Sequence, residues 1–390
     1  MEQGSKHPTD AVERGGRSPL HELHGHGQSV WLDYIRRGIL DNGELERMIR
    51  EHDLRGVTSN PSIFEQAIGD STDYDDELER LAGEGIGGEA AYERLAVSDI
   101  RRAADLFRGV YDASGGRDGF VSLEVSPELA HDTERTLEDA RRLWKWVDRP
   151  NLMIKVPGTE AGLPAIEQLL SEGINVNVTL LFSLRGYERV MEAFLRGVER
   201  RVDAGGPVER VASVASFFVS RVDTAVDAQL EKAAQGGGDA ERARSLMGRA
   251  AIDNAKLAYA RFREVFGGDR WARLEAAGAQ IQRPLWASTS TKNPEYRDVV
   301  YVEELIGPDT VNTMPLATVE AFADHGVARR TVDREVDRAR EELAGLRELG
   351  IDLDAVTEQL QVEGVEKFAK SFREMLQTVE EKMGRVAGKA

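Results

Sequence analysis

Eight short apolar segments, each followed by a charged stretch with helical spacing, recur along almost the whole chain. They cover residues 29–35, 56–62, 119–126, 151–158, 175–182, 211–218, 283–290 and 310–316. Stretches such as 133–147, 161–171 and 184–202 separate them. Strand–helix alternation implies parallel pairing, because a parallel neighbour must be reached through a helical crossover. Eight units undivided by a linker predict one closed (β/α)8 TIM barrel of α/β class, and 390 residues are enough to build it. Two connections, 65–118 and 219–282, exceed one helix and should carry extra ones. Residues 1–28 are rich in Gly, His, Pro and charge without periodicity, and are expected as a flexible arm before a barrel over 29–328. Residues 329–390 read as helices packed on the barrel exterior. Their apolar stripe is Val365, Phe368, Phe372, Leu376 and Val379, and a flap over the barrel mouth is the less favoured placement.

Composition removes whole classes of function. With no cysteine there are no disulfides, iron–sulfur clusters, thiolate zinc sites or cysteine nucleophiles. A net charge of −18 speaks against nucleic-acid or anionic-membrane partners, although a local basic pocket can survive in such a chain. No apolar run is long enough to span a bilayer and no signal-peptide core is evident, so a cytoplasmic protein, monomer or homodimer, is expected. His21, His24 and His26 lack ligand spacing, and His52, His131 and His325 are isolated from one another, so no metal and no cofactor is expected. Gly83, Gly85 and Gly88 match a dinucleotide fingerprint, but they follow a charged helical run rather than a strand and read as a loop between helices.

The strands carry polar residues that apolar packing does not require. Lys155 lies within Asn151-Leu152-Met153-Ile154-Lys155-Val156-Pro157-Gly158, a buried-strand pattern closed by a turn. Burial of an ammonium is costly unless it is paired or deprotonated, and a neutral amine can form a Schiff base with a carbonyl. A solvated lysine at a strand end is the commoner explanation of one such residue. Its company argues otherwise. Asp33 falls in the first strand segment, Asn60 in the second, Glu124 in the third, and Asn177 and Thr179 in the fifth. Ser213 and Ser216 belong to the sixth with Arg221 after it, and Ser288 and Ser290 to the seventh with Lys292 after it. In a barrel these strand ends converge on one face. One amine, two carboxylates and several hydrogen-bonding groups suit covalent chemistry on a polyhydroxylated carbonyl compound.

From about residue 29 to its C-terminal helix the chain resembles the transaldolases in their longer bacterial form. The likeness rests on Thr58-Ser59-Asn60-Pro61-Ser62, Ile154-Lys155-Val156-Pro157, Asn175-Val176-Asn177-Val178-Thr179-Leu180-Leu181-Phe182 and Ser216-Phe217-Phe218-Val219-Ser220-Arg221. The resemblance implies a metal-free class I aldolase barrel of the pentose phosphate pathway. Such an enzyme transfers a dihydroxyacetone unit from sedoheptulose 7-phosphate or fructose 6-phosphate to glyceraldehyde 3-phosphate or erythrose 4-phosphate. It implies Lys155 as the Schiff-base residue, Glu124 as acid/base through a water held by Thr179, and Asp33 as the group that handles the C4 hydroxyl proton. It places Asn60, Asn177, Ser216 and Phe218 around the substrate, with Arg221 on the phosphate. After the seventh strand the chain departs from the shorter transaldolases, which have an arginine there. Ser288, Ser290 and Lys292 are the alternatives for that contact.

Three other readings compete with this one. A Schiff-base fructose 6-phosphate aldolase would release the three-carbon ketone, but such relatives lack a carboxylate at the Glu124 place. A metal-dependent barrel aldolase lacks ligands here. A non-catalytic binding barrel would have lost at least one of these groups, and none is missing.

Overall fold

The computed structural model describes residues 18–236 and 239–387. Eight strands form a closed barrel in sequence order: β1 (Gln28–Leu32), β2 (Leu54–Val57), β3 (Phe120–Glu124), β4 (Leu152–Pro157), β5 (Val176–Leu181), β6 (Ser213–Phe218), β7 (Arg283–Ala287) and β8 (Thr310–Met314). Every neighbouring pair is parallel, and β8 closes on β1. All eight expected segments overlap a strand. The second starts two residues earlier than expected and ends at Val57 rather than running to 62, because Pro61 opens the helix Pro61–Gly69 and Asn60 caps it. Proline suits the first helical turn, where its missing N–H is no loss. The long connections carry the extra helices expected of them, Asp75–Gly83, Gly88–Leu106 and Arg108–Ala113 in the first. Gly83, Gly85 and Gly88 are confined to the junction between two of these helices.

At the N-terminal end of the barrel the Arg283 guanidinium meets Asp118 at 3.0 Å and donates to Ser29 at 2.7 Å. Trp31 Nε1 also donates to Asp118, so this buried pair is held by neutral donors as well. Such a network at this end of a barrel serves stability, since chemistry in this fold gathers at the opposite mouth.

Two expectations need correction. Residues 1–17 of the expected arm lie outside the described residues, but residues 19–25 form a helix capped by Ser18, with Leu20 and Leu23 fully buried. Seven residues with two apolar positions are too few to show a period, which is why this helix was illegible. The chain end is the second correction. The helix Leu353–Ala387, hereafter the C-terminal helix, lies across the barrel mouth rather than on its exterior. At 35 residues it extends roughly 50 Å, enough to cross the whole face. Four of the five stripe residues, Val365, Phe368, Phe372 and Val379, are each under 9% exposed, and Leu376 is half-buried. An apolar stripe records that a face is covered, not what covers it. No helix among the described residues is long and apolar enough to cross a membrane.

Candidate active site

Glu124 ends β3 and is the register partner of Lys155 on β4, which in turn pairs with Asn177 on β5. Parallel neighbours in register point the same way, so these three side chains all turn into the barrel. Lys155 is 5% exposed. Its Nζ lies 3.4 Å from Glu124 Oε2 and donates to the Ser59 carbonyl at 3.2 Å. The Phe368 ring of the C-terminal helix covers it, with the centroid 5.5 Å from Nζ. The amine is thus shielded, with an acid beside it and an aromatic lid above.

The two carboxylates differ in their surroundings. Neither Glu124 oxygen has a hydrogen bond, and burial pushes its pKa up to about 7 against the opposing pull of Lys155. A carboxyl poised there can give and take protons at neutral pH. Asp33, just beyond β1, accepts a 2.6 Å bond from the Thr58 hydroxyl, which therefore accepts in turn from Thr313 on β8. Burial raises Asp33 above its ordinary range, and Lys155, Thr58 and Arg221 draw it back. Thr179 Oγ1 is buried without a partner, so like Glu124 it keeps hydrogen-bonding capacity in reserve.

A cavity of about 350 Å³ joins Asp33, Asn60, Lys155, Thr179, Ser216 and Phe218 to Arg221, Ser288, Ser290 and Lys292. All three alternatives after β7 therefore reach the same space, and Lys292 donates to Ser290 at 3.0 Å. Arg221 lies over the Phe218 ring at 5.3 Å, and burial draws its pKa down while Asp33 opposes this. Asn60 spends its Oδ1 capping the following helix. Asn177 is fully buried and does not line the cavity. It donates to Ser122 at 3.0 Å and accepts from Ser216 at 2.7 Å, so it fixes Ser216 from beneath. Glu124 does not line this cavity; it lines a separate one of about 340 Å³ between the helices Gly88–Leu106 and Thr133–Val147, which Phe372 of the C-terminal helix also touches. Ser213 is remote from the cavity and bonds the Val176 carbonyl instead.

Backbone strain accompanies the site. Leu180 has φ +62° where the β5–β6 register breaks, and Ser288 has φ +57° just beyond β7. Side chains other than glycine resist this region, and such strain gathers at functional sites. Gln361 of the C-terminal helix donates to the carbonyls of Leu180 and Gly158, at 3.1 and 3.3 Å. Gly364 allows the helix to come this close, since a Cβ there would stand 3.0 Å from Leu180 Cδ2. Sequence reasoning missed Ser59, Thr58, Thr313, Gln361 and Lys367. The first two lie in a segment already prominent for Asn60, but the last three are brought in only by tertiary placement. Among the described residues no group of three His, Asp or Glu could hold a metal ion.

Residues 30–379 match the model of the transaldolase/fructose-6-phosphate aldolase family. A transaldolase of Frankia alni is 50% identical over 94% of this chain and 98% of its own length. One from Mycolicibacterium smegmatis is 50% identical over 92% of this chain and 95% of its own, and transaldolase 2 of a Nostoc species is 46% identical over 93% and 97%. The chain belongs to the transaldolase/fructose-6-phosphate aldolase family and groups with relatives that are transferase enzymes named transaldolase.

Proposed function

We propose that the protein transfers a dihydroxyacetone unit between sugar phosphates through a Schiff base on Lys155. The observation that carries this is the shielded Lys155 amine 3.4 Å from a carboxyl whose pKa stands at about 7. Lys155 Nζ adds to the C2 carbonyl of fructose 6-phosphate or sedoheptulose 7-phosphate, giving a carbinolamine. Glu124 supplies the proton with which the C2 hydroxyl leaves as water, and a water held by Thr179 serves as relay. Asp33 then takes the C4 hydroxyl proton, and the electron pair of the C3–C4 bond moves onto the iminium, leaving an enamine and a free aldose phosphate. An acceptor aldehyde, glyceraldehyde 3-phosphate or erythrose 4-phosphate, takes up the three-carbon unit at its carbonyl carbon, and Asp33 returns the proton to its oxygen. Hydrolysis of the new iminium frees Lys155. Arg221 with Ser288 and Lys292 holds the phosphate, while Asn60 and Ser216 bind the hydroxyls and Phe218 walls the cavity. These chemistries belong to the pentose phosphate pathway.

Transfer, as opposed to release, requires the enamine to be kept from stray protons until the acceptor arrives. Phe368 over Lys155 supports that requirement. The test is turnover of fructose 6-phosphate with and without erythrose 4-phosphate. Consumption that depends on the acceptor and yields sedoheptulose 7-phosphate is expected. Acceptor-independent release of free dihydroxyacetone would identify an aldolase instead.

A further inference from the structure

We propose that Lys367, carried by the C-terminal helix, is a third phosphate-binding cation and makes that helix part of the sugar-phosphate specificity. The inference rests on the transfer reading above. The Lys367 side chain lines the same cavity as Arg221 and Lys292, reaching it from the C-terminal helix. Among the described residues no carboxylate is within ion-pair distance of any of the three. Elsewhere Arg36 meets Asp73, Arg270 meets Glu199 and Lys382 meets Asp75. In a chain of net charge −18, three cations that line one cavity and make no ion pair among the described residues are left available to an anion.

Their proximity has an energetic signature. Arg221 is the largest cause holding the Lys367 ammonium below its usual pKa, followed by burial and then Lys292. Mutual repulsion of this kind is relieved when an anion enters. A phosphate dianion also finds the Ser288 and Ser290 hydroxyls on the barrel side of the cavity. Lys367 is next in sequence to Phe368, which covers Lys155, so a single turn of helix spans both ends of a bound sugar phosphate.

The test compares Lys367→Met with Lys367→Arg. Lysine, methionine and arginine are all good helix formers, so the helix is retained in both. Borohydride trapping is titrated with fructose 6-phosphate, with unphosphorylated dihydroxyacetone, and with inorganic phosphate as competitor. For Lys367→Met we expect the half-saturating fructose 6-phosphate concentration to rise about tenfold relative to that for dihydroxyacetone. The inhibition constant of inorganic phosphate should weaken by a similar factor, as loss of one charge-assisted contact requires. Lys367→Arg should recover most of both. A Lys367→Met protein with an unchanged concentration ratio and unchanged phosphate inhibition would overturn the assignment. Failure of the unaltered protein to trap any adduct would instead overturn the transfer reading.

Discussion

At the scale of single residues, the site separates its acids by surroundings rather than by type. Asp33 is held by the Thr58 hydroxyl, whereas Glu124 is buried without a hydrogen bond and titrates at about 7. Glu124→Gln should therefore slow imine formation by about 10²- to 10⁴-fold, the usual contribution of a positioned acid/base. It should also erase the limb of the imine-formation pH profile near pH 7, because glutamine has no proton to give. Asp33→Ala should still form the imine but cleave it slowly, so single-turnover trapping collects the six-carbon adduct. If Asp33→Ala collects only the three-carbon adduct at the normal rate, its role has been misassigned. Both acids were legible because each interrupts or ends an apolar strand. Thr58 and Thr313 were not singled out, since a hydroxyl is cheap at a strand end and announces no chemistry. Asn177 was legible as a polar strand residue, but only the packing reveals that it holds Ser216 rather than facing the cavity.

At the scale of elements, the C-terminal helix is the decisive part. It covers Lys155 with Phe368 and satisfies the strained Leu180 carbonyl with Gln361. Phe368→Ala should admit water to the enamine, so the ratio of free dihydroxyacetone released to dihydroxyacetone transferred should increase. Product analysis in the presence of acceptor would show this, and an unchanged ratio would mean the ring is only packing. Gln361→Ala leaves two carbonyls without that donor and should cost about 1–3 kcal/mol of stability, read from denaturant midpoints. The stripe from Val365 to Val379 was legible because helical spacing is local. The surface that receives it was not, because docking depends on Gly364 of the helix meeting the strained Leu180, which is distant in sequence. The Pro19–Gly25 helix was lost for the opposite reason, being too short for any period to form.

At the scale of the molecule, the eight strands were readable because parallel barrel strands are buried on both sides and appear as unbroken apolar runs. Their closure followed from number and alternation, while the site followed from the polar residues that break those runs. Burial of acids also gives the whole fold a pH dependence. Glu124 and Asp223 are each pushed up to about 7 by burial, and Asp99 and Asp253 are raised by the same cause. The folded chain therefore retains protons that the unfolded chain, with carboxyls near their ordinary pKa values of 3.8 to 4.5, has already released. Stability contributed by these groups is complete below that range and is lost as pH rises through about 7 to 8. The unfolding midpoint should accordingly fall from about pH 5 to about pH 8, and Asp223→Asn should flatten the curve. A midpoint that climbs across this interval would contradict the burial argument. The central claim is the covalent one, and the most direct measurement is borohydride reduction in the presence of fructose 6-phosphate followed by peptide mass mapping. The expected result is a single three-carbon adduct on Lys155, absent from a folded Lys155→Ala protein. An adduct on another lysine, or none at all, would contradict the account.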